Sequence, residues 1–209
     1  LLDATGSVSV TGAGALAVDR VTSGTSTSLT GTSVTLNSGT IGTDLSLSAT
    51  AGDIDGNGTI TVGGAIDFDA SGNIGFGDLT ANGGAFAVDA GDDINFTSAT
   101  DIRFDAITSP NAVMLTAANG LIGKNTGSGD INSGGDILLS SQSVDVGNLI
   151  SGGNILATIT LSDAAFGLLD ATGSVSVTGA GALAVDRVTS GTSTSLTGTS
   201  VTLNSGTIG

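Results

Sequence analysis

Apolar residues in this chain recur at every second position in bursts of four or five, and each burst ends at a cluster of Gly, Ser, Asn or Asp. SVSV at 7–10, DLSL at 44–47, AIDF at 65–68, AFAV at 85–88 and DILL at 136–139 are such bursts. A second burst usually follows within a few residues: ALAV at 15–18, SVTL at 33–36, NIGF at 73–76, DINF at 93–96 and SVDV at 143–146. A period of two sends alternate side chains to opposite sides of a strand. Val8, Val10, Leu16, Val18, Val34, Leu36, Leu45, Leu47, Ile66, Phe68, Ile74, Phe76, Phe86, Val88, Ile94 and Phe96 then form the inward set. Short strands punctuated by small turn-forming residues predict an all-β chain. Residues 154–171 alone could be argued as helical, and their Thr and Ile content suits a strand equally well.

The long-range pattern is a repeat. Residues 1–42 recur without change at 168–209, an offset of 167. Many apolar sequences would satisfy a stacked fold, so identity over 42 residues points to recent duplication of one unit in a tandem array. Broken at its turn signals, the unit divides into eight coils of 18 to 27 residues. They begin near Ser7, Thr25, Thr43, Ala65, Ala85, Ala112, Asp136 and Asn154, and Ser174 opens the next unit. Two or three short strands in a coil of that length fit a parallel β-helix, in which each coil buries the apolar row of its neighbour. Residues 1–209 are therefore expected to form one continuous solenoid, with each unit roughly 38 Å long at the usual strand spacing. Gly-rich corners are expected to supply positive-φ turn positions. The fifth and sixth coils are the longest, and loops are expected at 97–111, around the single proline Pro110, and at 119–133. A string of immunoglobulin-like sandwiches would need longer strands and a Trp or Tyr core.

Composition narrows the chemistry. The chain has no Cys, His, Trp, Tyr or Glu, and its 19 acidic residues are all Asp. Disulfides, Cys/His zinc sites and catalysis by His or Cys are thereby excluded. Four basic residues, Arg20, Arg103, Lys124 and Arg187, leave a net charge of −15, so no nucleic-acid partner is expected. No apolar run reaches bilayer length, and no membrane insertion is expected. The chain opens in mid-pattern at Leu1, without a basic region before an apolar core, and reads as a segment of something longer.

SGGDILLSSQSVDVGNLISGGNI at 133–155 and ATAGDIDGNGTITVGGAIDFDASGNIGF at 49–76 resemble the haemagglutination-repeat region of the filamentous haemagglutinin family. Those are large bacterial exoproteins, commonly exported by two-partner secretion. The resemblance covers almost the whole chain through a degenerate Gly-x-Ile-x-Leu pattern. It implies a right-handed β-helix shaft in a secreted, surface-attached adhesin or biofilm filament. The family's secretion domain and binding tips have no counterpart here, so no functional residue is carried over.

Candidate sites are few. Asp53, Asp55 and Asn57 alternate in GDIDGNG, like the first half of a calcium loop, but Gly64 stands where an EF-hand places its bidentate Glu. A Gly/Asp/Asn turn explains the motif as well. Asp69 and Asp89 fall fifth in consecutive coils on the outward side, and stacking sets like charges opposite one another. Either the two carboxylates splay into water or a calcium ion bridges them; calcium is the one cofactor these residues suggest. Arg20 and Arg187, beside Asp19 and Asp186, read as surface charge pairs. An acid-pair glycosidase would need basic and aromatic sugar contacts that this composition lacks. Thr25, Thr27, Thr30, Thr32 and Thr35 look outward, but AIDF, DINF and DILL interrupt the ranked Thr rows of an ice-binding face. The expected function is non-enzymatic: a rigid stalk whose partners are adjacent copies of the repeat and, in the alternative of a self-associating fibre, neighbouring filaments.

Overall fold

Each burst of alternation becomes a strand, and every strand pairs in parallel with strands about one turn earlier or later. The computed structural model describes residues 1–209 apart from 57, 65, 73, 77–78, 82–85, 91–93, 99–100 and 125–126. Over 79–81, 86–90 and at 98 it describes the backbone alone. The chain is all-β, a parallel β-solenoid of about ten turns, with no helix among the described residues. Of the expected inward set, Val10 and Leu16 are half-buried, the side chains of Phe86 and Val88 lie outside the described residues, and the rest are buried.

Each turn has three strand segments, so the solenoid has three faces. Val8–Thr11, Thr27–Gly31, Leu45–Ala49 and Ile66–Ala70 stack on the first face. Segment 16–18 of Leu16–Ser23, segment 34–36 of Val34–Ile41, Ile54–Gly56 and Ile74–Phe76 stack on the second. Leu2–Ala4, segment 21–23, segment 39–41 and Ile60–Val62 stack on the third. Inward residues of the three faces meet in one core. Phe68 of the first face stacks on Phe76 of the second with ring centroids 5.0 Å apart, and Phe76 lies 6.4 Å from Phe96 in the next turn.

Wall strands of the third and first faces occupy much of the stretches expected to be loops. Ile102–Phe104 pairs with segment 122–124 of Val113–Lys124, and Ala106–Ser109 pairs back onto Phe86–Ala90. Ile102, Phe104 and Ile107 are buried, so 97–111 is largely wall. Within 119–133, Asp130–Ser133 is also a wall strand, paired with Ala106–Ser109. The extra length of this turn is taken up by a register shift between Ala117 and Leu121 and by the connection after Lys124. The expected fifth coil, 85–111, therefore holds four strand segments, and this changes the winding of the unit.

Following register partners along the axis shows how. Leu16 leads through Val34, Ile54, Ile74, Ile94, Val113, Ile137 and Ile155 to Val175, the copy of Val8. Val10 leads through Leu29, Leu47, Phe68, Val88, Ile107, Ile131, Leu149 and Leu169 to Val188, the copy of Val21. The second copy thus sits one face further round than the first. Val175–Gly179 is twenty elements on from Val8–Thr11, and five of the intervening elements bend across two faces (Leu16–Ser23, Val34–Ile41, Val113–Lys124, Ile137–Val146, Ala164–Ala171). Twenty-five segments separate the copies, so the unit winds 8⅓ turns rather than eight, at about 20 residues per turn and about 40 Å per unit.

The two identical segments also show what burial depends on. Val34, Leu36 and Ile41 are 0–2% exposed, whereas their copies Val201, Leu203 and Ile208 are 41–59% exposed on the last turn. The sequence is the same; the difference is a turn stacked above, which is how a solenoid buries its core.

Candidate functional site

The corners between faces carry most of the polar side chains with defined partners. Asp or Asn immediately before the first inward residue of a strand accepts an N–H from the following turn. Asp136 Oδ1 accepts the backbone N–H of Asn154 at 2.7 Å, and Asn154 Oδ1 accepts that of Ser174 at 2.9 Å. Asp130 does the same for Asn148 at 2.7 Å, Asn148 for Leu168 at 3.1 Å, and Asp163 for Ala182 at 2.7 Å. A second device is a buried serine at the end of a strand. Ser109, Ser133 and Ser151 stack in register, and Ser151 Oγ receives the Gly153 N–H at 3.1 Å while lying 2.7 Å from the carbonyl of Gly135. Among the described residues no buried side-chain polar atom lacks a partner.

Corner glycines act differently from the expectation. Among the described glycines Gly129 alone has positive φ, at 68°. At Gly24, Gly42, Gly134, Gly152 and Gly191 a Cβ would instead run into a backbone carbonyl of the preceding turn. These corners need Gly for close stacking rather than for a left-handed turn. Thr27 is likewise inward, 1% exposed, with its hydroxyl 2.8 Å from that of Ser23.

The four acidic candidates fall on two faces. Asp69 and Asp89 are register partners on the first face, flanked along the axis by Ser48 and Thr108. Asp67 and Asp69 are exposed, while the Asp89 side chain lies outside the described residues. Asp55 is on the second face, between Thr35 and Gly75 in register, and Asp53 sits at the corner just before it. Partial burial pushes the Asp55 carboxyl above its ordinary value, and the charge of Asp53 adds to the effect. Asn57 lies outside the described residues. No cluster of three or more Asp that could hold a metal ion occurs among the described residues. The ion pairs there are Arg103 with Asp101, at 3.1 Å, and Lys124 with Asp145, at 2.9 Å. Neither includes Arg20 or Arg187.

Among the described residues, open grooves lie along the sheet faces. One is lined by Asp55, Gly75, Asn95 and Met114, where Gly75 leaves a gap in the outward row. Beside it Met114, Leu138 and Leu156 are register partners and form an outward apolar stripe, with Met114 and Leu156 39% and 44% exposed.

The arrangement defines a class, a three-faced parallel β-solenoid built from a long tandem unit. No family model, curated protein or solved structure matches the chain.

Proposed function

We propose that this solenoid is a shaft: a rigid structural segment of a long, secreted, cell-surface bacterial adhesin, with length as its product. The observation that carries the reading is the continuation of the second copy. Residues 168–209 stack on the first unit with the strand registers of 1–42; Leu183 meets Val201 as Leu16 meets Val34, and Arg187 meets Ser205 as Arg20 meets Ser38. A unit that joins its successor by the same backbone pairing as its own turns can be extended without a new interface. The corner carboxylates and serines hold turn upon turn, which is a mechanical role and requires no reaction. Neighbouring units in the same chain are the partners of this reading, and an exterior rich in Asp supplies solubility.

The test is electron microscopy of arrays of two and four units. Single rods that lengthen by about 40 Å per added unit support the shaft. Short arrays that join into bundles or long filaments would make self-association the function instead, with the Met114–Leu138–Leu156 stripe as the first surface to examine.

A further inference from the structure

The winding of 8⅓ turns has a consequence for anything carried on the outside of the rod. Because the two copies of 1–42 lie one face apart, an outward residue of one unit reappears on a different side in the next. Thr11 is exposed on the first face, and its copy Thr178 is exposed on the second. The corners allow this because they travel with the sequence and not with the face. Ser23 bonds Thr27 at the corner leaving the third face, and Ser190 bonds Thr194 in the same way at the corner leaving the first, at 2.8 and 2.9 Å. Gly24 approaches the carbonyl of Thr5 as Gly191 approaches that of Thr172. The three sides are structurally interchangeable, so a fractional number of turns brings no misfit.

We propose that a tandem array of this unit is a three-way display. Each unit is turned by one face, about a third of a revolution, relative to its predecessor, and any lateral feature faces three directions in succession. The same feature returns to a given side every third unit, at about 120 Å. This deepens the shaft reading and rests on it. A partner that recognises one surface patch of the unit then meets it from whichever side it approaches. The winding also bears on association between rods. The apolar stripe of Met114, Leu138 and Leu156 occurs on one side only once in three units, so a neighbouring rod finds no continuous apolar strip to zip against.

Two measurements test it. The first uses the 209-residue chain, which has no native Cys. Met114 is in register with Asn95 here, whereas an eight-turn unit that set Phe86 beside Val113 would bring Ala87 beside Met114. In-register parallel neighbours are close enough for a disulfide. Oxidation should cross-link Asn95→Cys with Met114→Cys, and should not cross-link Ala87→Cys with Met114→Cys; the reverse result overturns the fractional winding. The second uses a six-unit array with Thr11→Cys in every unit, each biotinylated and marked with gold, imaged by tomography. Successive marks should step around the rod by about a third of a turn. Marks along one side overturn the display while leaving the shaft intact. An array that fails to lengthen removes the shaft and the display with it, and the cross-linking result still judges the winding by itself.

Discussion

At the scale of single residues, the fold is sensitive where turns come closest. Gly56 is buried on the second face, where a Cβ would meet the ring of its register partner Phe76 and the carbonyl of Leu36. Gly56→Ala should therefore force the Phe68–Phe76–Phe96 stack apart and lower stability by about 1–3 kcal/mol, the usual cost of overpacking, read from urea unfolding. Asp55 works through charge. Its carboxyl is raised above the ordinary value of 3.8 by burial first and by Asp53 second, so the folded state holds the proton more tightly than the unfolded one. Stability from this group is complete below the unfolded value and falls away as pH rises through the folded value. Asp55→Asn should accordingly raise the melting temperature at pH 7, and its advantage over the parent should vanish below about pH 3.8. The register pair Asp69 and Asp89 makes a separate test. Relief of like charge should make Asp69→Asn slightly more stable, by about 0.2–1 kcal/mol, and EDTA should leave the parent's melting curve unchanged. A melting temperature that falls with EDTA in the parent but not in Asp69→Asn would establish a bridging calcium instead.

At the scale of strands and corners, the buried serines offer a clean measurement. Ser151 and Ser190 flank Ala171 in one register column, so the position accepts a methyl group without a clash. Ser151→Ala should cost about 1–2 kcal/mol, the worth of one or two side-chain hydrogen bonds to buried backbone, in chemical denaturation. A variant as stable as the parent would mean that water replaces the hydroxyl. This scale is also where sequence and structure part. Alternation in SVSV, AIDF and DILL reveals two faces, because four-residue bursts register clearly against Gly-rich corners. Up to residue 104 the third face is written in three-residue pieces, such as ITV at 60–62 and IRF at 102–104, which are too short for period two to stand out. Ala106–Ser109 was hidden by Pro110, which reads as a loop signal; in fact Pro110 follows the strand directly, at the corner, where it interrupts no wall strand. That one missing strand turned 8⅓ turns into eight. Four of the five corner residues stand in the sequence as Asp or Asn between Gly and Ile or Leu, as in GGDI, SGDI and GGNI, and Asp163, between Ser and Ala, is the exception. Composition alone does not set them apart, because a carboxylate that caps the next turn and one that faces water look alike until the turns are stacked.

At the scale of the whole molecule, interchangeable faces and corners imply that whole turns can be removed but parts of turns cannot be removed at will. Ile131 and Leu149 are register partners eighteen residues apart, so deleting 131–148 places Leu149 where Ile131 stood and leaves every later strand on its original face. The deleted turn takes its buried area with it, and its neighbours close over the gap by the pairing that already joins them. The shortened chain should still unfold in one cooperative transition, with a smaller denaturant dependence because less surface is exposed on unfolding. Deleting 131–139 removes half a turn, sets exposed Ser140 in the inward place of Ile131 and turns buried Ser141 to the outward place of Asn132. That chain should lose its β circular dichroism or precipitate. If both deletions behave alike, stability does not reside in turn-on-turn register, and the argument for a shaft extended by stacking would fail with it.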